Sequence, residues 1–494
     1  MKKFIRSIDG DLLADLIAGR PQPKYIWLQR TWLVVLFLAG LYLWGHFLNW
    51  GRGPLNFHDW AGISGPRLAY MRQSMIQGEL PLHASAQVIQ DDVTRRFLAI
   101  PDLILSPQIL LLYWLDIGRF ALAQFWLLYA LGFWALLLLR RRFGLSLLAF
   151  TILFTLFNFN GHILAHATVG HATWGGYFLF PAFAVLIFEL LEEGANWRWA
   201  AKVVFLALLI LLQGSYHQFM YLLFFLGLLV LSVPRHFWWL AASVAFAVLV
   251  AMWRILPAAF LLAGFDNDFL AGFPFGVSIW QYLTQAQIPQ ELPLGPAPIP
   301  PIGTWEYTFY IGIISALFIL YFGVLRILTD REAPEHFRLL LLPCLGLTLL
   351  SLHKVFLPLR TVLPIPPFTS ERVAARIFSL AFVFILILAT VQFQRWLEKN
   401  RPSLAGVLAM LALFAVAAYD LLLNLFAWGI PHVTNYFLVE DWLPERYYPA
   451  NQYTDTKYFL LLAVGLLVSL LSAALLLYLA WRERRNLKDQ IRVG

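Results

Sequence analysis

The stretch YFLLLAVGLLVSLLSAALLLYLAW occupies residues 458–481 without a single charged side chain, and Arg482-Glu483-Arg484-Arg485 follows it directly. About 20 apolar residues in a helix cross the hydrocarbon core of a bilayer, so this stretch predicts a membrane-spanning helix. Basic residues just beyond a span are typical of its cytoplasmic end. The stretch therefore predicts an integral membrane protein whose last helix ends in the cytoplasm.

The same kind of apolar run recurs along the whole chain. Hydrophobic residues make up 60% and charged residues 13% of the sequence, with a mean hydropathy of +0.70, whereas soluble domains carry about 25% charged residues. The runs are too long for barrel strands and have the length of spanning helices, so we predict an all-α polytopic fold of about twelve spans. They lie near residues 31–48, 118–139, 144–159, 173–193, 199–214, 216–233, 236–264, 307–328, 337–352, 375–396, 403–428 and 457–481.

The basic residues predict the orientation of the chain. Most of the 36 Lys and Arg side chains fall on one side of this map, among them Arg140-Arg141-Arg142 and the C-terminal tail. The positive-inside rule then places both termini in the cytoplasm, with the protein in the cytoplasmic, inner membrane. The net charge of +8 reflects this bias, so it gives no sign of nucleic acid as a partner.

The map divides the chain into five parts. Residues 1–30 form a cytoplasmic lead, whose apolar residues at helical spacing indicate an amphipathic helix on the inner leaflet or simply a solvated segment. An N-terminal module of about seven spans covers 31–264, and a C-terminal half of about five spans covers 307–481. The second large outer loop lies between them at 265–306, and a basic cytoplasmic tail fills 482–494.

The first large outer loop covers residues 49–117. Its apolar run 103–115 is too short to span and contains Pro107, so it predicts a helix that lies on the outer surface or dips into it. Large loops on one face indicate binding or chemistry there, whereas transporters more often keep loops short. The predicted spans nearly lack ionisable groups, and Asp420 is the main exception. A single cysteine, Cys344, excludes an intramolecular disulfide.

Asp59 is the leading candidate for a catalytic base. It lies in His58-Asp59-Trp60 at the head of the first outer loop. A carboxylate held at the membrane surface beneath a folded loop can accept a proton from a substrate. The same aspartate could instead cap a helix that begins near Ala61. Four acidic residues of the second loop could also serve as the base: Asp266, Asp268, Glu291 and Glu306.

Histidines form a second group of candidates. His162 and His166 are four residues apart, so they can share a helix face and bind a divalent metal with His171 as third ligand. Hydrogen bonding to a sugar donor or acceptor, and plain interfacial packing, are the alternatives. His58, His217 and Asp266 are further candidates for sugar or acceptor binding. Four tryptophans could stack on a sugar ring: Trp60, Trp174, Trp280 and Trp305.

Arginines in or beside the outer loops form a third group. Arg72, Arg254, Arg372 and Arg376 are candidates for a donor phosphate, because the planar guanidinium binds phosphate oxygens in pairs. Arg372 and Arg376 are four residues apart, on one face of a helix. Anchoring to lipid headgroups is the alternative role for these side chains.

The order of these features resembles a known superfamily. A first span is followed by a long outer loop with an early acidic residue, then by a surface helix entered through a proline and by a second large loop after the seventh span. The stretches that carry the resemblance are Asp59, Gln77-Gly78-Glu79-Leu80-Pro81, Ser106-Pro107, Gly170-His171 with Trp174 and Pro181, and 372–376. The chain thus resembles the GT-C superfamily of membrane glycosyltransferases and, within it, is similar to YfhO-like bacterial membrane proteins.

The resemblance implies a polyprenyl-phosphate-linked sugar as donor and transfer at the outer membrane face to an acceptor of unknown identity, with Asp59 as general base. The corresponding histidine-bearing loop of GT-C enzymes can hold an acidic or metal-binding residue, and here it holds no carboxylate. This departure argues against a carboxylate-bound metal, and a divalent metal on His162, His166 and His171 stays an alternative cofactor. Since fold does not establish activity, a non-catalytic lipid-glycan transporter, or an accessory or structural subunit, is the alternative function. An enzyme would bring Asp59 and the arginines to one cavity, whereas a transporter would have a polar path around Asp420.

Overall fold

The computed structural model describes residues 16–19, 23–53, 55–84, 96–100, 102–261, 270–292, 302–330, 332, 334–436 and 454–493. Helices dominate this part of the chain. They are α1 Ile26–Phe47, α2 Gly65–Gln77, α3 Ile117–Phe143, α4 Leu147–Asn158, α5 Gly161–Thr168, α6 Phe180–Glu193, α7 Trp197–Leu212, α8 Tyr216–Ser232, α9 Phe237–Val250, α10 Met252–Leu261, α11 Gly276–Thr284, α12 Gly312–Leu320, α13 Arg326–Thr329, α14 Glu335–Leu350, α15 His353–Val362, α16 Pro366–Thr369, α17 Phe378–Asn400, α18 Leu404–Trp428, α19 Ile430–Tyr436 and α20 Thr456–Val493.

Eight helical segments of the described chain are long and apolar enough to cross a membrane. The segments Pro234–Val250 and Met252–Leu261, which contain α9 and α10, meet at Ala251 with a bend of 70°. If they form one broken span, they are a ninth. The predicted all-α, polytopic membrane fold is therefore confirmed. The eight segments are Pro23–Phe47, Ile117–Phe143, Leu147–Thr168, Ala172–Glu193, Gly312–Thr329, Ala374–Asn400, Leu404–Trp428 and Thr456–Asn486.

The remaining predicted spans are helical but short. Helices α7 and α14 have 16 residues each and α8 has 17. At 1.5 Å per residue such helices are about 24–26 Å long, somewhat less than the hydrocarbon core of about 30 Å. The count of twelve spans therefore stays a prediction.

The helices differ in how deeply they are buried within the protein. The most apolar windows of Leu147–Thr168 and Ala374–Asn400 are each 94% buried, whereas those of the first segment, α18 and α20 are only 17% buried. A helix that is apolar all round must face other protein or lipid. The bundle thus has α4, α5 and α17 at its centre, and its outer helices present Leu, Val and Phe to a bilayer.

Two predicted boundaries change. The first helix begins at Ile26, after a 3-10 turn at Pro23–Tyr25, so it takes in residues that were assigned to the lead. Residues 1–15 of the predicted amphipathic helix lie outside the described residues. The predicted surface helix at 103–115 is a pair of 3-10 segments, Leu103–Leu105 and Pro107–Tyr113.

A two-stranded antiparallel ladder, β1 Glu291–Leu292 with β2 Ile302–Gly303, lies in the second loop.

Candidate functional site

Asp59 lies between two histidines. One carboxylate oxygen, Oδ1, is 3.0 Å from Nδ1 of His58, and the other, Oδ2, is 3.1 Å from Nε2 of His171. The aspartate directly precedes the π-helical turn Trp60–Ser64, but its side chain makes no capping hydrogen bond there. About a quarter of the side chain, 24%, is exposed. The carboxylate is therefore held by the two histidines rather than by a helix terminus.

The two histidines keep this carboxylate ionised. Burial alone would raise the pKa of Asp59, but its contacts with His171 and His58 outweigh burial and hold the pKa well below its usual range. Burial would lower the pKa of His58, but the contact with Asp59 outweighs it and raises the pKa above the ordinary value of 6.5. Opposite charges within about 4 Å stabilise each other in this way.

A close approach of two turns brings His171 to Asp59. Gly170 has φ +88°, and a Cβ on it would lie 2.2 Å from the backbone nitrogen of Trp60. Ser64 Oγ donates to the carbonyl of Gly170 at 2.6 Å, and Trp60 Nε1 donates to the carbonyl of Ala167 at 2.9 Å. The turn after α5 is thereby fixed against the turn after Asp59. Trp60 is fully buried, so its indole is packed in the core rather than presented to a sugar.

The other predicted histidines continue inward from His171. Nδ1 of His166 lies 2.6 Å from Nδ1 of His171, and the His166 ring stacks on Trp174 with centroids 4.3 Å apart. The His162 ring lies 4.5 Å from that of His166 and stacks on Phe309 at 4.3 Å. The side chains of His162 and His166 are fully buried. In the part of the chain that the structure describes, no group of three or more His, Cys, Asp and Glu side chains is arranged to hold a metal ion.

A buried ion pair lies next to these rings. Arg376 donates from Nε to Oε2 of Glu306 at 2.5 Å and from Nη2 to Oε1 of the same carboxylate. The guanidinium carbon lies 5.3 Å from the ring centroid of Trp174. Burial would raise the pKa of Glu306, but the attraction of Arg376 outweighs it and lowers the pKa, with smaller contributions from His171 and Arg372. The charge of Arg376 is thus balanced within the protein.

Glu371 is a site residue that the sequence analysis missed. Its Oε2 lies 2.9 Å from Nδ1 of His217 and accepts from the hydroxyl of Tyr221 at 2.7 Å. Burial would raise the pKa of Glu371, but His217 and the neighbouring donors lower it to about 2. The His217 ring is parallel to that of Trp174, with centroids 6.3 Å apart. The one available signal was its place in Ser370-Glu371-Arg372, beside an arginine already singled out.

The remaining predicted residues have other surroundings. Arg72 donates from Nε to the carbonyl of Leu115 at 3.1 Å. Arg254 is 5% exposed and donates to the carbonyls of three residues in the first loop, Leu98, Ile100 and Asp102. The geometry of Arg254 favours anchoring of that loop over binding of a phosphate, because its guanidinium donates to three backbone carbonyls, whereas Arg72 is shown with one such bond. Asp266 lies outside the described residues.

Arg372 and Asp420, two further predicted residues, each take part in a hydrogen bond. Arg372 is half-buried, and its carbonyl accepts from the backbone nitrogen of Ala271 at 2.8 Å. Asp420 is half-buried on α18 and accepts a hydrogen bond of 2.6 Å from the hydroxyl of Tyr310. Of the predicted tryptophans, Trp305 packs edge-on against His58 with centroids 4.6 Å apart, and Trp280 is half-buried against the core.

The structure thus brings together eight of the predicted charged and histidine residues, and Glu371 joins them. The eight are His58, Asp59, His162, His166, His171, His217, Glu306 and Arg376. A carboxylate between imidazoles can hold and move a proton, and the buried ion pairs keep the surrounding loops in place. Comparisons of the chain with protein-family models, with curated proteins and with solved structures find no match.

Proposed function

We propose that this chain is a membrane glycosyltransferase that moves a sugar from a polyprenyl-phosphate donor to an acceptor at the outer face of the cytoplasmic membrane. The observation that carries the proposal is the ionised, partly exposed carboxylate of Asp59 between His58 and His171. Perturbed carboxylates and histidines in contact are typical of proton-transfer sites. The resemblance to the GT-C superfamily supports the choice of a lipid-linked sugar, and the apolar helices suit a substrate that resides in the bilayer.

The proposed reaction requires two things of the protein, a base that accepts the proton and a site that holds the donor. The acceptor oxygen forms a bond to the anomeric carbon, its proton passes to the base, and the bond from that carbon to the phosphate oxygen breaks with its electron pair on the phosphate. Phosphate is already a good leaving group, so one proton acceptor is sufficient. Arg372 is the donor-binding arginine of this proposal, because the charge of Arg376 is already balanced by the buried Glu306.

The first prediction concerns Asp59 itself. The purified protein in lipid nanodiscs is supplied with polyprenyl-phosphate mannose, glucose or galactose, and released polyprenyl phosphate is measured together with sugar transfer to membrane extract. Asp59→Asn should lower the rate by about 10²-fold or more, because it removes the charge on which the proton-accepting cluster of His58, Asp59 and His171 depends, and losing proton transfer costs about 10² to 10⁴. Asp116→Asn is the matched control, because Asp116 lies in the same loop but is exposed and paired with Arg119.

Two outcomes would count against the proposal. Turnover of the donor by Asp59→Asn at the wild-type rate would remove Asp59 from the reaction. Failure of the wild-type protein to use any of these donors, with membrane extract present as acceptor, would remove the transferase function and leave a non-catalytic role for the chain.

A further inference from the structure

We propose that His58 takes the proton from the acceptor through its Nε2 atom, and that Asp59 is the positioning residue that orients His58 and balances its charge. This assignment rests on the proposed glycosyl transfer and names the atom that performs its proton step. Sequence analysis gives the role of general base to Asp59 alone, whereas this assignment divides it between Asp59 and the neighbouring His58. A general base at this site needs a nitrogen or oxygen atom whose lone pair an acceptor hydroxyl can reach.

Asp59 has both oxygens engaged. Oδ1 faces His58 and Oδ2 faces His171, each within 3.1 Å of a ring nitrogen. A substrate hydroxyl would have to compete with a histidine at either oxygen. A carboxylate stabilised by two such partners is also a weak base, whereas an efficient general base has a pKa near the working pH. Asp59 is therefore suited to holding a positive charge beside it.

His171 has both nitrogens engaged as well. A nitrogen lone pair 3.1 Å from a carboxylate oxygen would be repelled, so Nε2 of a neutral His171 carries its proton toward Asp59. Nδ1 of His171 then accepts from Nδ1 of His166 at 2.6 Å. Only 10% of the His171 side chain is exposed. His171 consequently supports the carboxylate from the inside of the protein.

His58 differs from both. Its Nδ1 lies 3.0 Å from the carboxylate, so by the same reasoning it carries the proton, and the lone pair of the neutral ring lies on Nε2. Nδ1 is buried, its contact with the carboxylate is a charge contact rather than a well-aligned hydrogen bond, and 33% of the side chain is exposed. An aspartate beside one nitrogen of a histidine favours the opposite nitrogen as the base, as it does in a Ser-His-Asp triad.

The backbone at His58 is held in an uncommon conformation. Its φ is +49°, a region that residues other than glycine seldom adopt, and such residues cluster at functional sites. Trp305 packs edge-on against the ring from the second loop. The charged groups that face His58 are Asp59 from its own turn and Glu291 and Glu306 from the second loop. All three are acidic, so all favour the protonated imidazole that the reaction would form.

In the proposed step, the oxygen of an acceptor hydroxyl bonds to the anomeric carbon while its proton moves to Nε2 of His58. The bond between that carbon and the phosphate oxygen breaks, and its electron pair leaves with polyprenyl phosphate. His58 becomes an imidazolium with Asp59 against its Nδ1 proton. Loss of the Nε2 proton to water returns the site to its starting state.

The pH dependence of the rate tests the assignment. Donor turnover is measured with polyprenyl-phosphate mannose, glucose and galactose between pH 5 and 9. With His58 as base, the rate should rise with pH as the imidazole loses its proton, with an apparent pKa above 6.5 because Asp59 raises the pKa of His58. A rate that is flat over this range would instead make the Asp59 carboxylate the base and overturn the assignment.

Two variants sharpen the test. His58→Asn should lower the rate by about 10² to 10⁴ and abolish the rise with pH, and asparagine suits the left-handed backbone at this position. Asp59→Asn should move the rise to lower pH, because burial then lowers the pKa of His58 against only the weaker attraction of Glu291 and Glu306. His353→Gln, at the start of α15, is the control and should keep the wild-type rate and profile. A wild-type rate and profile in His58→Asn would overturn the assignment.

A titration without substrate separates this proposal from the transferase proposal. In protein labelled with ¹⁵N-histidine, NMR should show the neutral His58 ring protonated at Nδ1, with a pKa above 6.5 that falls in Asp59→Asn. A neutral His58 protonated at Nε2, or a pKa that Asp59→Asn leaves unchanged, would overturn the role of His58 even if the protein turns over a donor. The expected titration with no turnover of any donor would instead contradict only the transferase function.

Discussion

At the scale of single residues, a buried charge at this site destabilises the fold unless a partner of opposite charge lies beside it. Arg376 and Glu306 each have 7% of the side chain exposed and are joined by two hydrogen bonds. Removing a charge from water costs several kcal/mol, which a partner repays only in good geometry. Trp174 beneath the guanidinium adds a cation–π contact. Arg376 therefore stabilises the turn Thr304–Glu306 against the start of α17, whatever it contributes to donor binding.

This pair gives a prediction about stability. Arg376→Ala should destabilise the protein by about 3–5 kcal/mol, since it leaves the buried Glu306 without its counter-ion. Lys354→Ala, which loses only a contact of 4.3 Å with the ring of Phe275, should cost about 0.5–1 kcal/mol. Thermal unfolding in detergent measures both, and the double variant Glu306→Gln with Arg376→Met should recover most of the loss. Equal losses in the two single variants would show that the buried pair of Arg376 and Glu306 adds little to stability.

At the scale of elements, the site depends on two turns that pack backbone against backbone. The turn after α5 carries Gly170 and His171, and the turn before α2 carries His58 and Asp59. The left-handed φ of Gly170 and its closeness to Trp60 leave no room for a side chain. Small shifts between these turns would separate His171 from the carboxylate, so the spacing of the proton-transfer residues is set by this junction.

Gly170→Ala tests the junction. The added methyl group would lie 2.2 Å from the backbone nitrogen of Trp60, and such overpacking costs about 1–3 kcal/mol in addition to the left-handed strain. Gly78→Ala is the control, because Gly78 has φ +72° but nothing within 4 Å of its Cβ position, so only the strain of about 1–2 kcal/mol applies. We expect thermal unfolding to fall further in Gly170→Ala, with a shift of the His171 NMR signals. Equal effects of the two changes would show that the turns can separate freely.

The sequence predicted local features well and long-range partners poorly. The length of apolar runs predicts a helix at every proposed span, and the spacing of His162 and His166 correctly places both rings side by side on α5. No local pattern indicates that Arg376 meets Glu306, 70 positions away, or that Arg254 binds three backbone carbonyls. Carbonyl acceptors occur at every residue, so they leave no sequence signal. Glu371 was missed because its partners, His217 and Tyr221, lie on α8, 154 and 150 positions away in the chain.

At the scale of the whole molecule, burial decreases from the central helices to α1, α18 and α20, as expected for a bundle surrounded by lipid. The orientation of this bundle is predicted by its basic residues and can be measured. The single cysteine, Cys344, is 1% exposed, so the native chain offers a clean background for labelling introduced thiols. Leu80 in the first large loop is 70% exposed, and the Lys399 side chain at the end of α17 is 59% exposed.

We expect Leu80→Cys to react with a membrane-impermeant maleimide in intact cells, because the first large loop is predicted to face outward. Lys399→Cys should react only after the membrane is permeabilised, and the wild-type chain should not react in either condition. Labelling is read as a mass shift on a denaturing gel. The reverse pattern would place the proposed site on the cytoplasmic side and would contradict transfer at the outer face.

The hydrogen bond from Arg254 to the carbonyl of Leu98 joins residues 156 positions apart. At a synthesis rate of about 5–20 residues per second, the ribosome adds that length of chain in roughly 8–30 s. Until α10 has been made, the carbonyls of Leu98, Ile100 and Asp102 lack the guanidinium that binds them in the finished protein. The backbone around Leu98, Ile100 and Asp102 therefore reaches its final hydrogen bonding late in biosynthesis. Nascent chains that stop before residue 254 should be cleaved by proteases at this stretch more readily than the full chain.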